Sequence, residues 1–157
     1  MLSDLFYAVL AAGAHELGHI AAIYALGGRV ERFTADPGGL NIRYCGGFSP
    51  AQEALIALAG PAMNLVMAVL SAFFGFFGGY FIGINLVFCI FNLIPISILD
   101  GGRIIAPYLG ARALYLDIAL ITALFILGLF IWRAAGNPTM VVASFMMLFL
   151  CLQNRRY

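Results

Sequence analysis

Charge is what this chain most lacks. Only 10% of its 157 residues are charged and 64% are hydrophobic, where an ordinary soluble domain is about 25% charged. All eight basic residues are arginines; lysine is absent. Those arginines are scattered and the net charge is +1, so nothing points to a nucleic-acid partner. Cysteine is scarce as well. Cys45, Cys89 and Cys151 make no close pair and no Cys-x-x-Cys, which argues against a disulfide framework or a thiolate zinc site. They read as small apolar fillers. No repeat or low-complexity tract stands out, and the length fits one domain. The bilayer is the solvent for which such a chain is composed.

What the chain has in abundance is long apolar runs. Leu5 to Leu26 is 22 residues, enough to cross a hydrocarbon core of about 30 Å, and Gly27-Gly28 ends it. Within it Leu10-Ala11-Ala12-Gly13-Ala14 resembles a signal-peptidase site. No Lys or Arg precedes it, however, and Asp4 does, so it reads as the small-residue face of a retained helix. From Arg29 to Pro50 the pattern changes to period two: Val30, Arg32 and Thr34, then Leu40, Ile42 and Tyr44, on either side of Asp36-Pro37-Gly38-Gly39. That predicts a β-hairpin. It serves either as a plain connector or as an exposed strand edge able to pair with an extended peptide.

Ser49-Pro50 opens the next helix, with Ser49 as N-cap. Ala54 to Leu99 then carries no charge over 46 residues, the length of two crossings. The glycines between Gly75 and Gly83 place the break, giving spans at about 51–74 and 80–99, with Asp100-Gly101-Gly102-Arg103 stopping the second. A fourth span covers about 113–132 and a shorter apolar segment 139–152. The expected fold is therefore an all-α polytopic membrane protein of about five transmembrane helices, with a small β-hairpin between the first and second. With five crossings, Arg29, Arg32, Arg43, Arg103, Arg112, Arg155 and Arg156 fall on one side and Arg133 on the other. By the positive-inside rule the hairpin, Asp100 and the C-terminus then face the cytoplasm and the N-terminus faces out.

The chemistry centres on Ala14-His15-Glu16-Leu17-Gly18-His19. His15 and His19 are the only two histidines, and a four-residue spacing puts them on one helical face. Two neutral imidazoles so placed can share a tetrahedral Zn²⁺, with Glu16 beside the water on the open position. An ionisable group inside an apolar span costs about 2.5 kcal/mol or more, so its presence asks for a purpose. The alternative is a histidine pair hydrogen-bonded to neighbouring helices, with Glu16 as counter-ion. A third ligand is needed, and a carboxylate suits it. Asp100 is favoured because it follows a long apolar span at a depth like that of the histidines, and Gly101 lets backbone approach closely. Asp117 is the runner-up, and a helix-end cap is the structural alternative for Asp100. Asn64 and Asn92 are intramembrane amides that either join helices or bind substrate. Gly60 and Pro61 lie on a small-residue packing face, and Pro95 interrupts its helix and frees backbone groups.

Together, His15-Glu16-Leu17-Gly18-His19, Gly60-Pro61-Ala62-Met63-Asn64, and Asn92-Leu93-Ile94-Pro95 with Leu99-Asp100-Gly101-Gly102 resemble the site-2 protease family of intramembrane zinc peptidases. The resemblance spans roughly Leu5 to Arg103, and the compact layout is most similar to the bacterial sporulation branch that processes membrane-tethered pro-sigma factors. It implies one domain over 1–157, with a catalytic core at about 5–103 and extra helices at about 113–152. It further implies one Zn²⁺ per chain held by His15, His19 and Asp100, Glu16 as base, transmembrane proteins as substrates, and a bacterial cell membrane as the setting. Where the family often has prolines before its Leu-Asp-Gly, this chain has Ser97 and Ile98. The competing expectations are a polytopic metal carrier or sensor, and a catalytically silent homologue that binds membrane segments.

Overall fold

The computed structural model describes residues 2–36, 39–75 and 77–154. In chain order these form α1 (Leu2–Ala25), β1 (Arg29–Asp36), β2 (Gly39–Cys45), α2 (Pro50–Phe74), α3 (Gly78–Asn92), α4 (Asp100–Leu109), a 3₁₀ turn at Gly110–Arg112, α5 (Ala113–Ala135) and α6 (Thr139–Asn154). The exposed faces are crowded with large apolar side chains, among them Leu5, Val9, Leu17, Leu65, Phe73, Val87, Ile126 and Phe130. Water would not tolerate so much apolar surface; lipid does.

Three helices have the length and composition to cross a membrane, at Ser3–Ala25, Pro50–Phe74 and Pro107–Ala135. The chain is a membrane protein on that footing. α3 and α6 occupy the other two expected places, but with 15 and 16 residues they rise only about 22–24 Å. Both fall short of a hydrocarbon core of about 30 Å. The Pro37-Gly38 turn, and Arg155 and Arg156 on which the expected orientation partly rests, lie outside the described residues.

α1 and α2 are held together by small residues used in both directions. On α1 the buried positions are Ala11, His15, Gly18, His19 and Ile23, one stripe at helical spacing. On α2 the matching stripe is Ile56, Ala57, Gly60, Pro61, Asn64, Ala68 and Ser71. Gly18 lies directly under the Ala59 carbonyl and the Met63 side chain, so that even one added carbon would strike backbone. Between helices whose other faces are equally at home in lipid, such close approach is the main source of attraction. α2 starts as expected: Ser49 Oγ accepts from the Gln52 amide at 3.3 Å, while Gln52 Oε1 accepts from the Ser49 amide at 2.9 Å. It runs through Pro61 unbroken and ends at Gly75, whose φ of 70° needs a glycine.

The hairpin forms where period-two patterning places it. β1 and β2 pair antiparallel, Arg29 opposite Cys45 and Phe33 opposite Ile42, with an irregularity at Glu31 between Val30 and Arg32. The third apolar run departs from expectation. Its helix stops at Asn92 rather than Leu99, and residues 93–99 are non-helical. Pro95 is the cause, since it has no N–H to donate and keeps Ile94 out of the helical region. Asp100 accordingly begins a helix instead of ending one.

If Gly18 sets the α1–α2 distance, Gly18→Val should lower the apparent unfolding temperature of the detergent-solubilised protein, an overpacking cost of about 1–3 kcal/mol. Gly13, beside which no atom lies within 4 Å, is the control. Gly13→Ala should be neutral or mildly stabilising. Equal melting of both variants would show that α1 and α2 are not in close contact.

Candidate metal centre

Asp100 is carried to the histidines by glycines. A side chain on Gly101 would collide with the Leu93 carbonyl, and one on Gly102 with the Ile96 carbonyl, so the first turn of α4 rests on the backbone of the 93–99 segment. Gly60 serves the other side of the centre: a Cβ there would occupy the space of the His19 ring and approach His15 Nε2. The rings are seated against bare α2 backbone.

Among the described residues, His15, His19 and Asp100 form the one group of three metal-ligating side chains close enough to share an ion. All three are buried. His15 Nε2 lies 3.0 Å from Asp100 Oδ2, His19 Nε2 lies 3.2 Å from it, and the two nitrogens are 3.2 Å apart. Protons on the facing atoms would make these contacts hydrogen bonds or ion pairs. The tautomers argue otherwise.

His19 Nδ1 is 2.7 Å from the Ile56 carbonyl oxygen, which can only accept, so that nitrogen carries the proton. His15 Nδ1 is 2.7 Å from Asn64 Oδ1. The Asn64 amide is oriented by its nitrogen, which donates to the Ala11 carbonyl and to Asn85 Oδ1, each at 2.9 Å. Asn85 is oriented in turn by donating to the Phe81 carbonyl at 2.9 Å. Backbone carbonyls at both ends of the chain of amides thus fix His15 with its proton on Nδ1. Both Nε2 atoms present lone pairs, and Asp100 Oδ2 is buried without a hydrogen-bond donor. Three acceptors converge on one point. The donor set fits a cation: tetrahedral bonds of about 2.0 Å separate ligand atoms by about 3.3 Å, close to the edges observed.

The remaining oxygen of Asp100 is steered by Arg103, whose Nη1 lies 3.4 Å from Oδ1. Arg103 Nη2 also donates to the Tyr44 hydroxyl at 2.9 Å, and Tyr44 donates to Glu53 Oε2 at 2.6 Å. The hairpin is thereby tied to the ligand-bearing turn. Burial, reinforced by the bond to Glu53, pushes the Tyr44 phenol up, which keeps the hydroxyl a donor at neutral pH. Glu16 is half-buried within electrostatic reach of His19, His15 and Asp100.

The other expected site residues fall elsewhere. Both donor positions of Asn64 are engaged inside the protein, which leaves no N–H for a substrate; its place is behind His15. Asn92 donates to the Phe88 carbonyl of its own helix at 3.0 Å and lies outside the amide chain. Asp117, the runner-up ligand, is bonded to Ser97 and not to the histidines. Pro61 is buried within α2, and Pro95 lies in the segment leading to Asp100. Asn85 was not singled out in the sequence. Its signal is an uncharged amide in a long apolar run, a group that needs a partner in lipid.

No family model matches this chain, and no curated protein matches it by sequence. Among solved structures the fold is similar to that of the Site-2 Protease from Methanocaldococcus jannaschii, with a TM-score of 0.68 over 94% of this chain and 75% of that one. Sequence identity is 23%, so the likeness shows a shared fold.

If the amide chain sets the His15 tautomer, Asn64→Ala should weaken zinc binding about 10–100-fold, the usual cost of losing a partner behind a ligand. Chelator competition on the detergent-solubilised protein measures it. Unchanged affinity in a folded variant would remove the amide chain from the site.

Proposed function

We propose that this protein is an intramembrane zinc metalloendopeptidase, hydrolysing peptide bonds in or near transmembrane segments of membrane-tethered proteins. The observation that carries the proposal is the convergence of His15 Nε2, His19 Nε2 and Asp100 Oδ2 beside Glu16 in a His-Glu-x-x-His helix. Likeness of fold to a site-2 protease supports it.

Zinc held by these three residues supplies Lewis acidity, which acidifies water and polarises a carbonyl oxygen. The protein does the rest. Glu16 takes a proton from the attacking water and returns it to the leaving nitrogen; the C–N bond breaks, and a carboxyl and an amine are left. Asn64 and the Ile56 carbonyl hold the imidazoles in one tautomer through the cycle. Arg103 turns Asp100 so that Oδ2 faces the histidines.

A helical substrate hides its carbonyls in its own hydrogen bonds, so it must be extended before cleavage. The edges of the β1–β2 hairpin offer backbone groups to an unwound strand, and the Tyr44–Arg103 contact sets that edge beside Asp100. Asn92, which spends one amide donor on its own helix, has polar capacity left for the substrate. With five crossings, the arginine distribution favours a site that opens toward the cytoplasm. In a bacterial membrane, the sporulation-type processing of tethered transcription factors is the physiological role that the sequence resemblance favours. A metal carrier would need polar groups along a path through the membrane; Asn64 and Asn85 are instead spent on orienting a ligand.

Glu16→Gln should lower cleavage of a tagged single-pass substrate by about 10²–10⁴-fold while zinc content stays at the wild-type level. Loss of zinc together with activity would move Glu16 from base to ligand.

A further inference from the structure

Among the described residues, a second buried carboxyl group lies outside the candidate metal centre. Asp117 sits on α5, 1% exposed, in a helix otherwise facing lipid and apolar neighbours. Its Oδ1 accepts from the Ser97 backbone amide at 2.8 Å and its Oδ2 from the Ser97 hydroxyl at 2.7 Å. Cys151 of α6 places its thiol 3.4 Å from the same Oδ2. Two oxygens on one residue fix both where Ser97 lies and how it is turned.

Ser97 belongs to the non-helical segment that delivers Asp100. Ile96, its neighbour, is buried in a cluster with Ile121 of α5 and Met147 and Cys151 of α6. The first turn of α4 lies on this backbone, Gly102 against the Ile96 carbonyl. Backbone bonds tighten the link, Leu99 N to Ile96 O at 2.8 Å and Arg103 N to Leu99 O at 3.2 Å. A shift at Ser97 therefore reaches Asp100 with little slack. Without such a grip a seven-residue non-helical segment would sample many positions for the carboxylate it delivers.

We infer that Asp117 is a positioning residue for the metal centre: from α5 it holds Ser97, and through Ser97 it sets where Asp100 meets the two histidines. The inference rests on the zinc reading above. It also gives the C-terminal helices a task in the chemistry, since they grip the segment that delivers Asp100.

The test uses the full chain in detergent, with Zn²⁺ affinity from chelator competition and the visible absorption of the Co²⁺-loaded protein as readouts. Asp117→Ala should weaken zinc binding at least tenfold, within the range for partners behind a ligand, and reduce the intensity of the cobalt bands as the carboxylate leaves. Ser97→Ala should do the same by several-fold. Asp117→Asn, which keeps an acceptor for the Ser97 amide, should lose less than Asp117→Ala. If Asp117→Ala does not fold, Ser97→Ala and Asp117→Asn decide by the same readouts. Wild-type zinc affinity and cobalt spectra in the folded variants would overturn the inference and leave the zinc reading standing. A wild-type protein that takes up no zinc would overturn both.

Discussion

Three lone pairs face one another across about 3 Å in the middle of this protein, and the rest of the structure is arranged to keep them there. Two imidazole nitrogens and a carboxylate oxygen at such spacing repel, and in a medium of low dielectric the repulsion is not screened away. A cation among them reverses its sign. What makes the arrangement specific is the set of groups behind it, because a histidine free to exchange its proton between nitrogens would relax the conflict by turning a repulsion into a hydrogen bond. The Ile56 carbonyl denies that escape to His19, and the Asn85–Asn64 amides deny it to His15. The membrane helps here. Amides with no water to turn to are held rigidly by whatever acceptors the helices supply.

Packing and electrostatics depend on each other at the α1–α2 contact. Gly18 allows the two helix backbones to approach, and that approach brings the Ile56 carbonyl and the Asn64 side chain within reach of the imidazoles. Gly60 then leaves room for the rings themselves. One glycine on each helix is used, and in opposite directions. On the far side the same device recurs, with Gly101 and Gly102 letting the start of α4 lie on the segment it follows. The candidate metal centre is thus assembled at four positions where a Cβ is missing.

Much of this was legible in the sequence because the signals are periodic or chemical. Long apolar runs located every long helix, period-two alternation located the hairpin, and the Ser49-Pro50 pair marked the start of α2. The pairing of His15 with His19 follows from helical spacing alone. Asp100 was legible as a ligand candidate, yet its setting was not: hydropathy carries through Leu99, whereas Pro95 ends the helix and turns the following seven residues into a connector. The sequence left open whether Asn64 joins helices or binds substrate, for a related reason. Nothing in a sequence says whether a buried amide faces a substrate or a histidine; that depends on backbone carbonyls at Ala11 and Phe81, which every residue possesses and no pattern marks. The length of α3 is a similar casualty, since apolar composition continues beyond the residues that hold helical geometry.

The most direct measurement is zinc K-edge X-ray absorption on the purified full chain after weakly held metal has been removed. The expected spectrum corresponds to one zinc per chain with a nitrogen and oxygen shell at about 2.0–2.1 Å and the outer-shell signature of two imidazoles. A sulfur shell at about 2.3 Å would place the metal on cysteine, and a protein that stays empty in excess zinc would mean that the three lone pairs are kept apart by protons instead.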